Sequence, residues 1–471
     1  MHSEDRMGLF LIAIVCLKAG TLPHSASTTL SQASNHRILI EKFTGELDGV
    51  VVVPGSKSIT NRAIMMALCS RGGSTIRNPL DSDDTKAGLA AAEALGCKIE
   101  KVADGFTVYG IGRDRPVTGT ALNVHSAGTV ARFLPCVLAM GGAGEWQIVA
   151  SKQMTMRPMK GLFDALAMLG ECIQPLERPG FLPALVRGGA ITNTEAFVDG
   201  GVSSQYLSGL LIAAPQAEHP MVFRTDGHVV QRQYVDITLD CMRAFGAEVD
   251  ATSDLSKIRV QPTGYFATDF QVEADASTAS YFAALPAALK GTLVIPNAIR
   301  HSRQPDTRFI DLIAQLGCEV AWLGSKGVRI SRPATLLKLK GGFTLDLNDC
   351  SDIALTVAAL APYADAPIEI QGVAHIRNHE CDRVDAMTQA LLEVGVPVEE
   401  RADGWKVFPG IPRYAELRTR DDHRMAMSLA VLGAAGGGVS LDHPECVAKT
   451  CPEFYRLISQ VGLAVRDIPP L

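Results

Sequence analysis

Phe309-Ile310-Asp311-Leu312-Ile313-Ala314-Gln315-Leu316-Gly317-Cys318-Glu319-Val320 is the stretch on which the fold turns. Up to Leu316 it is amphipathic in the manner of one helix face. Gly317 follows the last apolar residue, where a glycine takes the left-handed conformation without a Cβ penalty and ends a helix. The β-rich run after it turns back as a strand. The same pattern recurs five more times, in AAAEALGCKIE at Gly96, LFDALAMLGECI at Gly170, TLDCMRAFGAEVD at Gly246, MTQALLEVGVPVEE at Gly395 and FYRLISQVGLAV at Gly462. Successive glycines stand 67 to 78 residues apart. That interval is too long for a solenoid of small repeats and has room for two helices and several strands. Six such modules in 471 residues predict an α/β protein of two domains with three modules each.

Bulk composition narrows the class. The chain is 47% hydrophobic and 20% charged, with a formal net charge of -6. A net acidic globular protein lacks the basic face that nucleic acid requires, although a local basic cleft for a small anion stays open. The 11 cysteines run from Cys16 to Cys451 without a CxxC pair. Neither a disulfide framework nor a zinc site fits, so free buried thiols in a reducing compartment are expected.

The N-terminus is the exception. An apolar run, Leu9 to Leu17, follows Arg6, and Ser/Thr-rich sequence continues to about His36. Nine apolar residues cannot span a bilayer. A secretory segment, a plastid-type transit segment and a dispensable extension are the readings, with the downstream thiols arguing against export. Fold reasoning therefore starts at Arg37, and residues 1–36 are set aside as an extension.

Several segments carry anion chemistry. Val53-Pro54-Gly55-Ser56-Lys57-Ser58-Ile59-Thr60-Asn61-Arg62 runs from a valine-rich strand through Pro-Gly into a helix start, where backbone N–H groups are free for an anion. His125-Ser126-Ala127-Gly128-Thr129-Val130-Ala131-Arg132 is a small-residue turn into a helix. Arg157 precedes Pro158 and so belongs on a loop. Ser203 and Ser204 open an apolar helix, as caps or as phosphate ligands. In the C-terminal half, Asp352 opens another apolar helix, Arg377 to Arg383 crowds cations against carboxylates, Asp421-Asp422-His423-Arg424 precedes MAMSLAVL, and Lys449 follows a turn. Singly each suits a surface ion pair of little energetic worth. Together Lys57, Arg157, Arg383, Arg424 and Lys449 point to a polyanionic ligand.

From about Ile40 onward these segments resemble the 5-enolpyruvylshikimate-3-phosphate synthase family. PGSKSITNRA, SAGTVARFL, RPM, DGGVSSQYLSGLLIAAP, DASTASYF, RNHECDR, DDHRMAM and AKTCPEFY stand in the family's order and at its spacing. The resemblance implies two inverse α/β domains, each of three βαβαββ units about a threefold pseudo-axis, with the site in the interdomain cleft. It places the inserted domain at residues 55–272 and the discontinuous one at 37–54 plus 273–471. It implies transfer of the carboxyvinyl group of phosphoenolpyruvate to the 5-hydroxyl of 3-phosphoshikimate, by a cytoplasmic monomer (plastid if the leader is a transit peptide), with no metal or cofactor. The related UDP-N-acetylglucosamine enolpyruvyl transferases carry a cysteine near the Arg-Pro motif, and SKQMTMRP has none.

Residue by residue, the resemblance assigns phosphoenolpyruvate to Lys57, Gly128, Arg157, Gln205, Arg383, Arg424 and Lys449. Asp352 is the implied base for the acceptor hydroxyl, and Glu380 with Lys57 or Lys449 handles protons at the methylene carbon and the leaving phosphate. The space at Gly128 implies sensitivity to glyphosate. Acceptor positions are Lys57, Ser58, Arg62, Ser203, Ser204, Gln205, Gln231, Tyr234, Asp352, His375 and His379. Three of these depart from the family: Gln231 replaces Ser, His375 replaces Asn and His379 replaces Lys. All three are acceptor positions, so the donor chemistry is expected to be kept and acceptor recognition altered. Either the acceptor is 3-phosphoshikimate held by imidazolium in place of ammonium, weakening above about pH 7, or it is another alcohol.

Overall fold

A computed structural model describes residues 36–115 and 119–469. The extension before Arg37 lies outside them but for His36.

Among the described residues, six sheets form, and all six share one pairing pattern. In each, two strands pair parallel, one of these pairs antiparallel with a third, and the third pairs antiparallel with the last; in one sheet Tyr265–Phe266 and Asp269–Gln271 share the outer parallel place. Residues 121–188, 195–260 and 343–407 each supply a whole βαβαββ unit. The other three units are completed from afar. Leu47–Val50 joins Gly291–Ile295, Arg37–Ile40 joins Val439–Asp442 and Val465–Ile468, and Tyr265–Phe266 with Asp269–Gln271 joins Ser70–Arg77.

The six module glycines fall at the helix ends as the pattern predicts. Five have left-handed φ, between 81° at Gly395 and 105° at Gly96. Gly170 is needed for a different reason. A Cβ there would lie 2.1 Å from the Ala190 carbonyl oxygen. The valine-rich strand is displaced from its expected place: it occupies Leu47–Val50, and Val51 to Val53 lie beyond its end.

Two hydrophobic cores result. One gathers buried residues from Ile59 to Val272, the other those from Ile38 to Val53 and from Ala279 to Leu463. At the centre of each, three helices pack on one another: Lys57–Cys69, Gly128–Ala139 and Ser204–Ala213 in the first, and Ala276–Leu289, Ala354–Leu360 and His423–Ala435 in the second. Gly128–Ala139 and Ala276–Leu289 are buried at every residue, which is why these segments read as apolar on all sides. Each fully buried large apolar side chain, such as Phe133 or Phe282, contributes about 1.5–3 kcal/mol. Close approach matters as much as area. A Cβ on Gly209 would stand 2.6 Å from the Arg132 carbonyl oxygen of the neighbouring helix.

The chain crosses between the cores twice, and the crossings lie side by side. Ser56 N–H donates to Glu273 O at 2.8 Å, and Asp275 N–H to Pro54 O at 2.9 Å. Among the described residues no helix is long and apolar enough to cross a membrane.

Candidate active site

The inner helices begin at or beside the motifs singled out above: Lys57, Gly128 and Ser204 open helices in one core, and Asp352 and His423 stand at helix starts in the other. Their N-terminal ends therefore carry the polar residues that an apolar helix cannot bury. Between the cores is a cavity of about 510 Å³ lined from both sides. Lys57, Ser58, Arg62, Arg157, Ser203, Ser204, Gln205, Gln231 and Tyr234 come from the first core, and Asp352, His375, His379, Glu380, Arg383 and Arg424 from the second. Lys449 and Gly128 stand one layer back. Lys449 Nζ reaches Glu380 Oε1 at 2.9 Å, and a Cβ on Gly128 would lie 2.6 Å from Arg157 Nη1.

All five expected cations thus converge. Arg383, 2% exposed, donates Nη2 to Glu380 at 2.9 Å, Nε to Asp422 at 2.7 Å and Nη1 to Asp352 at 3.4 Å. Arg424 Nη2 donates to Asp352 Oδ2 at 2.7 Å. Arg157 Nη1 stands 3.5 Å from Glu380, and Lys57 Nζ 3.7 Å from buried Asp84. Several contacts span the two cores: Lys449 Nζ to Ser126 O at 3.2 Å, Gln153 Nε2 to Glu380 O at 3.3 Å, and Tyr234 OH to Asp352 at 3.4 Å.

The charges set the proton affinities. Burial opposes ionisation of Asp352, but Arg424 and then Arg383 outweigh it and hold this carboxyl at about 2. Glu380 is likewise buried, and Lys449, Arg157 and Arg383 keep it well below the usual carboxylate range. Burial lowers the Lys57 ammonium, with Asp84 pulling the other way. The site is an anion receptacle whose cations are paired with its own carboxylates.

The match to the family EPSP synthase (3-phosphoshikimate 1-carboxyvinyltransferase) spans residues 42–458. The chain belongs to that family. A 3-phosphoshikimate 1-carboxyvinyltransferase 2 from Halalkalibacterium halodurans is 41% identical over 421 residues, covering 89% of this chain and 93% of that protein. A 3-phosphoshikimate 1-carboxyvinyltransferase from Methanosphaerula palustris is 36% identical, covering 89% and 98%. An EPSP synthase structure from Acinetobacter baumannii superposes with a TM-score of 0.77 at 24% identity, over 92% of this chain and all of that one, which supports the two-core α/β architecture.

Two histidines at acceptor positions have their proton affinities lowered in this cavity. His379 Nδ1 accepts a hydrogen bond from Arg383 Nη1 at 2.9 Å, which requires an unprotonated nitrogen. Burial, then Arg383, pushes its pKa well below the ordinary value, and burial lowers that of His375.

Other groups escaped the sequence reading. His423, 1% exposed, lines the cavity with neither ring nitrogen hydrogen-bonded. Asp422 caps its helix by accepting from Arg424 N–H at 2.8 Å, and it also pairs with Arg383. Asp306 is buried, hydrogen-bonded by Ser277 through one oxygen, with the other unpartnered. Burial and then Asp352 push it up to about 8. For Asp422 and His423 the usable signal was an ionisable pair at the start of a mostly apolar helix; Asp306 precedes the amphipathic helix Arg308–Gln315 and carried no such signal.

Proposed function

We propose that this enzyme transfers the carboxyvinyl group of phosphoenolpyruvate to the 5-hydroxyl of 3-phosphoshikimate and releases inorganic phosphate. The observation that carries the reading is the convergence of Lys57, Arg157, Arg383 and Arg424 on one cavity around Asp352 and Glu380, with Lys449 behind it on Glu380. Relatives bearing the 3-phosphoshikimate 1-carboxyvinyltransferase name support it.

Phosphoenolpyruvate brings a carboxylate and a phosphate, both suited to the planar fork of arginine. As it binds, its anionic groups compete with Asp352 and Glu380 for their cations. Asp352 then gains proton affinity and can accept the proton of the acceptor hydroxyl as oxygen bonds to the central carbon of the donor. The methylene carbon takes a proton from Lys57 or Lys449, with the Glu380 carboxylate exchanging protons with them. In the second half, that carbon gives a proton back, the carbon–oxygen bond to phosphate breaks and the vinyl ether remains. Closing the two sides of the cavity over the substrates would keep water from the cationic stage.

We read the two cores as domains, residues 55–272 and 37–54 plus 273–471, with the paired crossings between them. The free thiols, most of them buried, support a cytoplasmic enzyme, and a monomer is our reading of its assembly. The second reading keeps the donor but exchanges the acceptor for another alcohol, and Gln231, His375 and His379 are what favour it. Purified protein given phosphoenolpyruvate and 3-phosphoshikimate decides. Phosphate release at an ordinary enzymatic rate supports the first reading. No release, with turnover on another alcohol, supports the second.

A further inference from the structure

The two inner helices that open beside the active site at Gly128 and Ser204 end together at a second cavity. Gly128–Ala139 stops at Met140, and Ser204–Ala213, continued by the short helical turn Ala214–Gln216, stops at Ala217. Met140 and Ala217 both line this cavity, which has a volume of about 300 Å³, the low end of the range for small-molecule sites. The first helix is 12 residues long, which puts about 18 Å of helix between Gly128 and the cavity.

Its floor and rim differ chemically. Ala139, Met140 and Met221 form an apolar floor and are at most 2% exposed. Arg113 and Glu218 stand in the wall and bond to each other, Nη2 to Oε1 at 2.7 Å. Their side chains are 36% and 65% exposed, so the pair is worth little and can readily exchange partners.

Behind the wall two buried donors lack partners. Arg115 donates Nη2 to Val137 O, near the end of the first helix, at 3.3 Å and to Gln216 Oε1 at 2.5 Å. That second contact fixes the Gln216 amide, and its Nε2 is left without a partner, as is Arg115 Nε. Gln216 adjoins Ala217 of the wall, and a Cβ on Gly141, another wall residue, would stand 3.3 Å from Arg115 Cζ. Unpartnered buried donors mark places for ordered water or a ligand.

We propose that this cavity binds a small α-amino acid with an apolar side chain. An α-amino acid carries its carboxylate and ammonium on one carbon, which matches two opposite charges already in contact. The carboxylate takes Arg113. The ammonium takes Glu218 at the carbonyl ends of the two helices, where the dipole favours a cation. The side chain lies on Met140, Ile191 and Met221 and leaves water. A simple anion would meet Glu218 as a like charge, and a simple amine would meet Arg113. The proposal does not depend on which alcohol the enzyme uses.

The test is calorimetric titration of the full chain with L-leucine, L-methionine and L-phenylalanine, with and without saturating phosphoenolpyruvate. At least one is expected to bind with a Kd at or below about 1 mM, unchanged by phosphoenolpyruvate. Its carboxamide and its N-acetyl derivative, each lacking one charge, are expected to bind at least about tenfold more weakly. Glycine, with both charges and no apolar body, should not bind measurably. Arg113→Gln weakens binding by a similar factor, and Ala217→Leu, which fills the cavity, abolishes it, with turnover unchanged in both. The proposal is overturned if none of the three amino acids binds, or if phosphoenolpyruvate displaces the one that does. It is equally overturned if the carboxamide binds as well as the parent, or if binding survives both substitutions. Should a variant fail to fold, the two derivatives on the unaltered enzyme decide.

Discussion

Arg157 Nη1 lies 2.6 Å from where a Cβ on Gly128 would stand, so the bare α-carbon is what allows that guanidinium its place. Gly128→Ala must displace Arg157. Losing one hydrogen bond to a charged group removes about 1.5–3 kcal/mol, or roughly 10- to 100-fold in affinity. The expected result is a phosphoenolpyruvate KM raised by that factor with kcat less affected, read from initial rates. The unaltered enzyme is expected to be inhibited by glyphosate, and indifference to it at about millimolar concentration, on the order of typical substrate levels, would count against the assignment of this side of the cavity.

Glu380 is the shared counter-charge of Lys449, Arg383 and Arg157. Glu380→Gln leaves three cations facing a neutral amide. Removing one partner from a buried pair typically destabilises by about 3–5 kcal/mol, and losing a proton-transfer group lowers kcat by roughly 10²–10⁴. Both effects are expected, the first by denaturant titration and the second by phosphate release. A variant with unchanged kcat would remove Glu380 from the chemistry.

For Asp352→Asn the two observables should separate. The amide cannot accept the hydroxyl proton, so kcat falls by roughly 10²–10⁴. Arg424 and Arg383 lose a competitor for the donor's anionic groups, so phosphoenolpyruvate binding is retained or tightened. Equilibrium binding of the donor by calorimetry checks this, and weakened binding would show that Asp352 mainly positions the arginines.

Asp306 gives a prediction about stability. Burial and then Asp352 raise its carboxyl to about 8 in the folded protein, against about 3.9 in an unfolded chain. Between those values the folded state holds a proton that the unfolded state has released. Its contribution is therefore fully present at low pH and is lost as pH rises toward 8, by about 1.4 kcal/mol per unit. Asp306→Asn cancels this slope. Denaturation at pH 5, 6.5 and 8 should show the variant gaining on the unaltered enzyme as pH rises, and parallel curves would contradict the raised value.

The modules were legible because helix, glycine and strand are local, and local rules of backbone conformation apply to each. Which strands share a sheet was not. Nothing in the pattern around Arg37–Ile40 says that it lies between Val439–Asp442 and Val465–Ile468, since alternation specifies a face and not a partner. Resemblance joined the first strands to the C-terminal half of the chain but did not name their partners. Gly170 was placed correctly for a reason that φ arguments do not contain, a carbonyl of another segment lying against it.

In the site, Lys57, Arg157, Arg383, Arg424 and Lys449 were readable because cations on helix starts and loops of an acidic protein need an explanation. Their partners were harder to see. Asp422 looked like part of a charge run, and its pairing with Arg383 exists only after folding. The partner of His379 was equally hidden, since Arg383 pointing at its Nδ1 is a direction no residue list contains.

Arg37 at the start of the described chain pairs with Ile468 near its end, on one sheet. Topologically the fold is a ring with a single seam, and the seam's position is a fact of the gene rather than of the packing. A polypeptide spliced there and reopened at the exposed turn Gly324–Lys326 would lay down the same six sheets in a different order of synthesis.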